Sequence, residues 1–217
     1  MSGLESVTPD PPSPFLPLDF RVPEGTLMHR VYPNGYASNE FNPGPNGAGR
    51  FSFFGDPQVS VLYCAESEEA AVAETLLRNV PIKGGSLQHR VYRDRVMAGL
   101  VTTRDLSLAS FMGPGLRALQ VDAYELTDTP GETNYPQTRK WAAAAHAAGF
   151  DGIVWMSRRM NNARCFMFFG DRVSPADFVL ARGTARVFAA GPDLDWLIRV
   201  CLPMRITVLQ DPGILGA

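Results

Sequence analysis

In this 217-residue chain, few residues have the type and spacing that chemistry requires. The histidines, His29, His89 and His146, lie too far apart for a metal-ligand spacing, so surface or satisfied positions are their ordinary roles. Cys64, Cys165 and Cys201 are equally scattered. They show no zinc-knuckle spacing and cannot all pair within one chain, which fits a reducing compartment. Cys64 sits between Tyr63 and Ala65, where a small buried hydrophobe is expected rather than an activated thiol. Ser157, between Met156 and Arg158, lacks the Gly-x-Ser-x-Gly elbow of a hydrolase triad. The segment Gly47-Ala48-Gly49-Arg50-Phe51-Ser52 lacks the third glycine of a nucleotide fingerprint and leads into an aromatic run, not a helix. Glu74 is better placed. On a 3.6-residue wheel it falls about 40° from Ala70, at the edge of an apolar arc of Ala70, Ala73, Leu76 and Leu77, where a carboxylate can point along a groove.

The elements that must position these groups follow from the pattern. Residues 1–24, rich in Pro, Ser and acid, read as an N-terminal arm without regular structure. Residues 27–32 read as a strand, followed by a long Gly/Pro/Asn-rich connection over 33–50 of the kind that usually carries function. A β-branched and aromatic run over 59–65 ends at Ser67, an N-cap with Glu68 and Glu69 in the first turn, and predicts a helix over 68–79. Strands are expected over 87–92 and 96–101, then an irregular stretch around Gly113. Pro136 and Gly149 bracket a second helix, with a strand over 150–155 ending just before Ser157. A strand over 165–169, a strand-like run over 178–188, a helix over 193–202 and a strand over 205–209 complete the chain. Strands outnumber helices without regular alternation, which predicts an α+β fold of one domain.

Composition excludes several classes. Net charge is -2 and 45% of residues are hydrophobic, which is the balance of an ordinary soluble domain and argues against a duplex-binding module, though a local basic cleft would not show in that sum. No stretch approaches the roughly 18 apolar residues that span a bilayer, so no membrane association is expected. The arm, with Asp10 and four prolines between Pro11 and Pro17, is unlike a secretory signal, and a cytoplasmic location is expected.

Four segments in succession resemble the RES domain family: His29-Arg30-Val31-Tyr32; Gly49-Arg50-Phe51; Val61-Leu62-Tyr63-Cys64-Ala65-Glu66-Ser67 with Glu74 following; and Gly149-Phe150-Asp151-Gly152-Ile153 leading to Ser157. The resemblance covers roughly residues 26–171, leaving the arm and a C-terminal extension from about 172. The Arg, Glu and Ser for which that family is named map onto Arg30, Glu74 and Ser157.

The resemblance implies an ADP-ribosyltransferase-like core of two small sheets flanked by helices. It also implies a toxin of a toxin-antitoxin pair that consumes NAD by hydrolysis or phosphorolysis, with a protein ADP-ribosyltransferase as the nearest alternative and a non-catalytic nucleotide- or partner-binding module as a more distant one. NAD is then a substrate, with neither cofactor nor metal implied, and the partner is a cognate antitoxin. Glu74 is the expected stabiliser of positive charge at the ribose C1′. Arg30 and Arg50 suit the pyrophosphate, Tyr32 and Tyr63 would frame the nicotinamide or ribose, and Ser157 would bond the nicotinamide amide or a ribose hydroxyl.

Overall fold

The structure, a computed structural model, describes residues 7–44, 49–129 and 132–210. Residues 1–6 of the arm, residues 211–217 of the extension, and Gly47 with Ala48 lie outside these. The strands are β1 (Asp19–Val22), β2 (Leu27–Pro33), β3 (Val61–Ala65), β4 (Gly85–Leu87), β5 (Arg95–Thr102), β6 (Leu106–Phe111), β7 (Gly152–Met156), β8 (Arg164–Phe169), β9 (Phe178–Leu180), β10 (Arg186–Val187) and β11 (Ile206–Val208). The helices are α1 (Glu68–Thr75), α2 (His89–Tyr92), α3 (Pro114–Ala118), α4 (Ala123–Leu126), α5 (Tyr135–Ala147) and α6 (Pro192–Cys201). The α+β class is as expected.

Nine strands join in the order β1-β6-β7-β8-β3-β2-β5-β10, with β9 also on β5, while β4 and β11 form a separate parallel pair. The sheet must curl. Residues 23–26 alone carry the chain from β1 at one edge to β2, and residues 103–105 carry it from β5 back to β6, so the two ends of the strand order lie close in space. The two halves meet at a single register pair, His29 with Ala65. Beyond it β2 and β3 part, and Asn42 of the long connection takes over the pairing of Val61 through Asn42 N–H to Val61 O (2.8 Å) and Val61 N–H to Asn42 O (3.0 Å). Two smaller sheets, β1-β6-β7-β8-β3 and β2-β5 with β9 and β10, thus share one seam.

Both faces are buried, as strand alternation shows. Leu62 and Cys64 of β3, Phe166 and Phe168 of β8, Met28 of β2 and Leu100 of β5 form a core made almost wholly of strand residues, enclosed by the curl. Val61 and Ala65, Cys165, Met167 and Phe169, and Val31 face the opposite way, onto Ala70 and Val72 of α1, Trp141 and Ala145 of α5, and Leu194 and Leu197 of α6. Each fully buried large side chain contributes roughly 1.5–3 kcal/mol. In Gly149-Phe150-Asp151-Gly152, Asp151 accepts the Ser107 N–H (2.9 Å) and pairs with Arg104 (3.4 Å). Gly152 is required by close packing, since a Cβ there would lie 2.1 Å from the Met167 carbonyl oxygen.

Four expectations need correction. The arm is not without structure: Asp19–Val22 pairs antiparallel with β6, and residues 7–10 pack along α4 and α5 through Thr8 Oγ1 to Glu125 O (2.5 Å), Trp141 Nε1 to Pro9 O (2.8 Å) and Lys140 with Asp10 (2.6 Å). Residues 87–92 are not one strand, because β4 stops at Leu87 and α2 follows. The helical turn brings His89 and Tyr92 edge to face at 5.3 Å and lets the buried Tyr92 hydroxyl reach Leu209 O at 2.9 Å. α1 ends at Thr75 rather than at 79. Leu77 N–H reaches back to Val72 O, and the Arg159 guanidinium takes the carbonyls of Val80 (3.4 Å) and Arg78, drawing the chain off the helix. The run over 178–188 is broken by a turn at Gly183 into β9 and β10, which pair with opposite ends of β5.

All three thiols are buried, and burial pushes Cys64 up to about 12, Cys201 up to about 11 and Cys165 well above the ordinary thiol range. A disulfide-exchange reagent at pH 8 is therefore expected to titrate no thiol in the native protein within minutes and three after unfolding in urea. One rapidly reacting equivalent in the native state would contradict this burial.

Candidate active site

Glu74 stands in the last turn of α1, beside the buried run Ala70, Ala71, Val72 and Ala73. Its Oε1 accepts the Ser157 hydroxyl at 2.5 Å and the Arg159 N–H at 3.4 Å. Ser157, 1% exposed, lies one residue past β7. Its oxygen accepts the N–H groups of Arg159 (3.1 Å) and Met160 (2.9 Å), so the turn after β7 fixes the serine and the serine's O–H fixes the carboxylate. Among the described residues Oε2 of Glu74 has no protein partner, so one oxygen is held and the other is presented.

Arg50 reaches the same place from the long connection. Gly49 packs so closely on Tyr63 that a Cβ would lie 2.8 Å from the tyrosine hydroxyl, and Ser52 Oγ collects both Gly49 N–H (3.1 Å) and Tyr63 O–H (2.9 Å). Phe51 is fully buried against Trp155 (5.2 Å) and Phe111 (5.7 Å). Thr138 of α5 donates to the Arg50 carbonyl. Pinned on both sides, Arg50 projects its guanidinium to Thr129, bonding the carbonyl at 3.3 Å and also the hydroxyl. Burial lowers its pKa and Tyr135 acts against that, with Glu74, Arg158 and Asp128 inside the same electrostatic neighbourhood. An arginine so perturbed stays a cation at neutral pH. Burial pushes the Tyr63 phenol up to about 12, so it stays neutral.

Three of the six expected site residues, Glu74, Ser157 and Arg50, converge, and Tyr63 joins them through Ser52. Arg30 and Tyr32 form a separate pair, the guanidinium 5.5 Å from the ring centroid. Alternation along β2 sends both to the side of Met28, away from α1, while His29 and Val31 face the helix. Arg30 Nη1 bonds the carbonyls of Ser38 and Glu40, each at 2.7 Å, and no bond joins it to Glu74 or Ser157. It ties down the connection that later delivers Arg50.

Sequence reasoning did not single out Arg78, Thr129, Tyr135, Arg158 or Arg159. Arg158 Nη1 donates to Thr129 O (2.9 Å) and its Nε pairs with Asp128. Arg78 Nη2 donates to the Tyr135 hydroxyl (2.9 Å). The adjacency of Arg158 and Arg159 to Ser157 was a usable signal, whereas Arg78 lies past the end of α1 and shares no helix face with Glu74. Tyr135 offered only its place before Pro136. Arg50 and Arg158 share an electrostatic neighbourhood with Glu74 and Asp128, while the Arg159 guanidinium turns to the carbonyls of Val80 and Arg78. Among the described residues no group of three or more His, Cys, Asp or Glu is placed to hold a metal ion, and no helix is long and apolar enough to cross a membrane.

An α+β domain whose seamed sheets hold a carboxylate by one oxygen, with the Arg50 guanidinium in its electrostatic neighbourhood, defines the class of protein. The chain belongs to the RES domain family, which matches residues 27–187 and so reaches into the C-terminal segment through β10. No curated protein matches it. Its fold is similar to that of a chain in the crystal structure of the M. tuberculosis MbcT-MbcA toxin-antitoxin complex, with a TM-score of 0.58 over 82% of this chain and 91% of that one. At 12% identity the likeness is one of fold, and it agrees with the ADP-ribosyltransferase-like core expected above.

Proposed function

We propose that this protein cleaves the nicotinamide-ribose bond of NAD, by hydrolysis or phosphorolysis, as the cytoplasmic toxin of a toxin-antitoxin pair held in check by a cognate antitoxin. The observation that carries this reading is the Glu74–Ser157 pair, with one carboxylate oxygen held and the other presented. As the C1′–N bond breaks, its electron pair leaves with nicotinamide and positive charge develops at C1′ and the ring oxygen. A fixed carboxylate stabilises that charge, and water or phosphate then attacks C1′. Ser157 keeps the carboxylate in place, and the Arg50 guanidinium in the same electrostatic neighbourhood suits an anionic diphosphate. Arg30 acts through the connection it ties down. The MbcT-MbcA likeness supports the toxin role and the antitoxin partner.

The expected result is loss of NAD with release of free nicotinamide by the purified, antitoxin-free protein, followed by chromatography with and without phosphate. ADP-ribose 1″-phosphate would mark phosphorolysis, and free ADP-ribose would mark hydrolysis. NAD left intact after prolonged incubation would overturn the reading.

A further inference from the structure

Arg159 grips two separate pieces of the site, one with its backbone and one with its side chain. Its main-chain N–H is shared between Ser157 Oγ (3.1 Å) and Glu74 Oε1 (3.4 Å), while its guanidinium takes the carbonyl of Val80 through Nη1 (3.4 Å) and that of Arg78 through Nη2. Those carbonyls belong to the turns that follow α1, the helix that carries Glu74 in its last turn. α1 has eight residues and cannot continue, because Leu77 N–H has already turned back to Val72 O and Val80 precedes Pro81, a position that disfavours helical backbone. Helix ends of this kind fray. A carboxylate in such a last turn also meets the partial negative charge of the terminal carbonyls, and the last turn of α1 has no basic residue of its own. The cation comes instead from Arg159, 85 residues along the chain from Glu74.

We infer that Arg159 is a positioning residue that locks the end of α1 to the turn after β7, so that the presented oxygen of Glu74 keeps a fixed place and direction. Ser157 holds the carboxylate itself, and Arg159 holds the helix end that bears it. The planar fork matters here, since two separate N–H groups serve two carbonyls at once, which the single point of an ammonium does less well. The kinetic consequence rests on the NAD reading, but the lock is testable without turnover.

The full chain would be compared as wild type, Arg159→Met and Arg159→Lys, each alone and combined with Glu74→Gln. The measurements are steady-state nicotinamide release, thermal unfolding, and amide hydrogen exchange read by mass spectrometry over residues 72–82 and 157–163. Methionine keeps the main-chain N–H and an unbranched stem and deletes the fork. In Arg159→Met kcat is expected to fall by roughly 10- to 100-fold, as a carboxylate displaced by about 1 Å would give, with KM for NAD changed by under about threefold. Lysine restores part of the loss. In the Glu74→Gln background the methionine substitution is expected to cost under about twofold, because residues that act through one group are not additive, whereas a merely structural role lowers the rate by the same factor in both backgrounds. Exchange over residues 76–80 becomes faster in Arg159→Met. Undiminished kcat in a folded Arg159→Met protein, an equal loss in both backgrounds, or a KM that rises as much as kcat falls would each overturn the proposal. If Arg159→Met fails to fold, the same comparison with Arg159→Lys decides. A wild type that releases no nicotinamide removes the NAD reading, and exchange over 76–80 then judges the lock alone: faster exchange in the variant leaves it standing, and unchanged exchange overturns it.

Discussion

Glu74→Gln is expected to lower nicotinamide release by about 100- to 1,000-fold, or roughly 3 to 4 kcal/mol of transition-state stabilisation, while the protein folds as before. The glutamine carbonyl can still accept the Ser157 hydroxyl and the Arg159 N–H that now converge on Oε1, so the turn after β7 keeps its partners. What disappears is the negative charge, needed only once C1′ becomes positive. NAD affinity should therefore change little and kcat greatly. A solvated helix residue would behave otherwise, shifting stability by under about 0.5 kcal/mol and leaving rate alone. Nicotinamide release and thermal unfolding measured on the same preparation separate the two, and undiminished release from a stably folded variant would remove Glu74 from the chemistry.

Ser157→Ala is expected to damage both rate and stability, because the hydroxyl has two duties. It donates to Glu74 and accepts two backbone N–H groups in a place that is 1% exposed. Alanine leaves the Met160 N–H without its acceptor and leaves Arg159 only the longer contact to Glu74. An unsatisfied buried N–H costs about 1–3 kcal/mol, which for a domain of this size lowers Tm by roughly 2–12 °C. The freed carboxylate loses its orientation, and a misplacement of about 1 Å can cost on the order of 100-fold in rate. A lower Tm with full kcat would make Ser157 a turn-former alone.

The fold class was legible because β3, β7 and β8 are dense runs of apolar and aromatic residues with clear punctuation, and because Ser67 caps α1 as its type demands. β1 was not legible. It is an edge strand with only Val22 in the core, so it carries almost no period-2 signal, and its pairing is decided by β6, which lies far along the chain. Residues 89–92 have strand-like types, but a buried Tyr92 with a distant hydrogen-bond partner outweighs local preference. In the site, Glu74 and Ser157 were accessible through helix geometry and family resemblance. Tyr135 and Thr129 act through neighbours contributed by other segments, and no local pattern encodes such a neighbour. Arg30 shows the converse, since a matching motif position does not by itself say which side of a strand faces the carboxylate.

The curl of the sheet bears on how the molecule comes into being. β3 pairs with β8, β1 with β6, and Glu74 meets Ser157 across 83 residues, so the contacts that assemble the site are overwhelmingly non-local. Chains of such high contact order fold slowly, since each long loop must close before any pairing rewards it. A nascent chain has no Glu74–Ser157 couple until β7 and the turn beyond it have been synthesised and docked. On the proposed function the chain acquires activity only after that point, and the interval before folding completes is one in which its unpaired strand edges are what the surroundings meet.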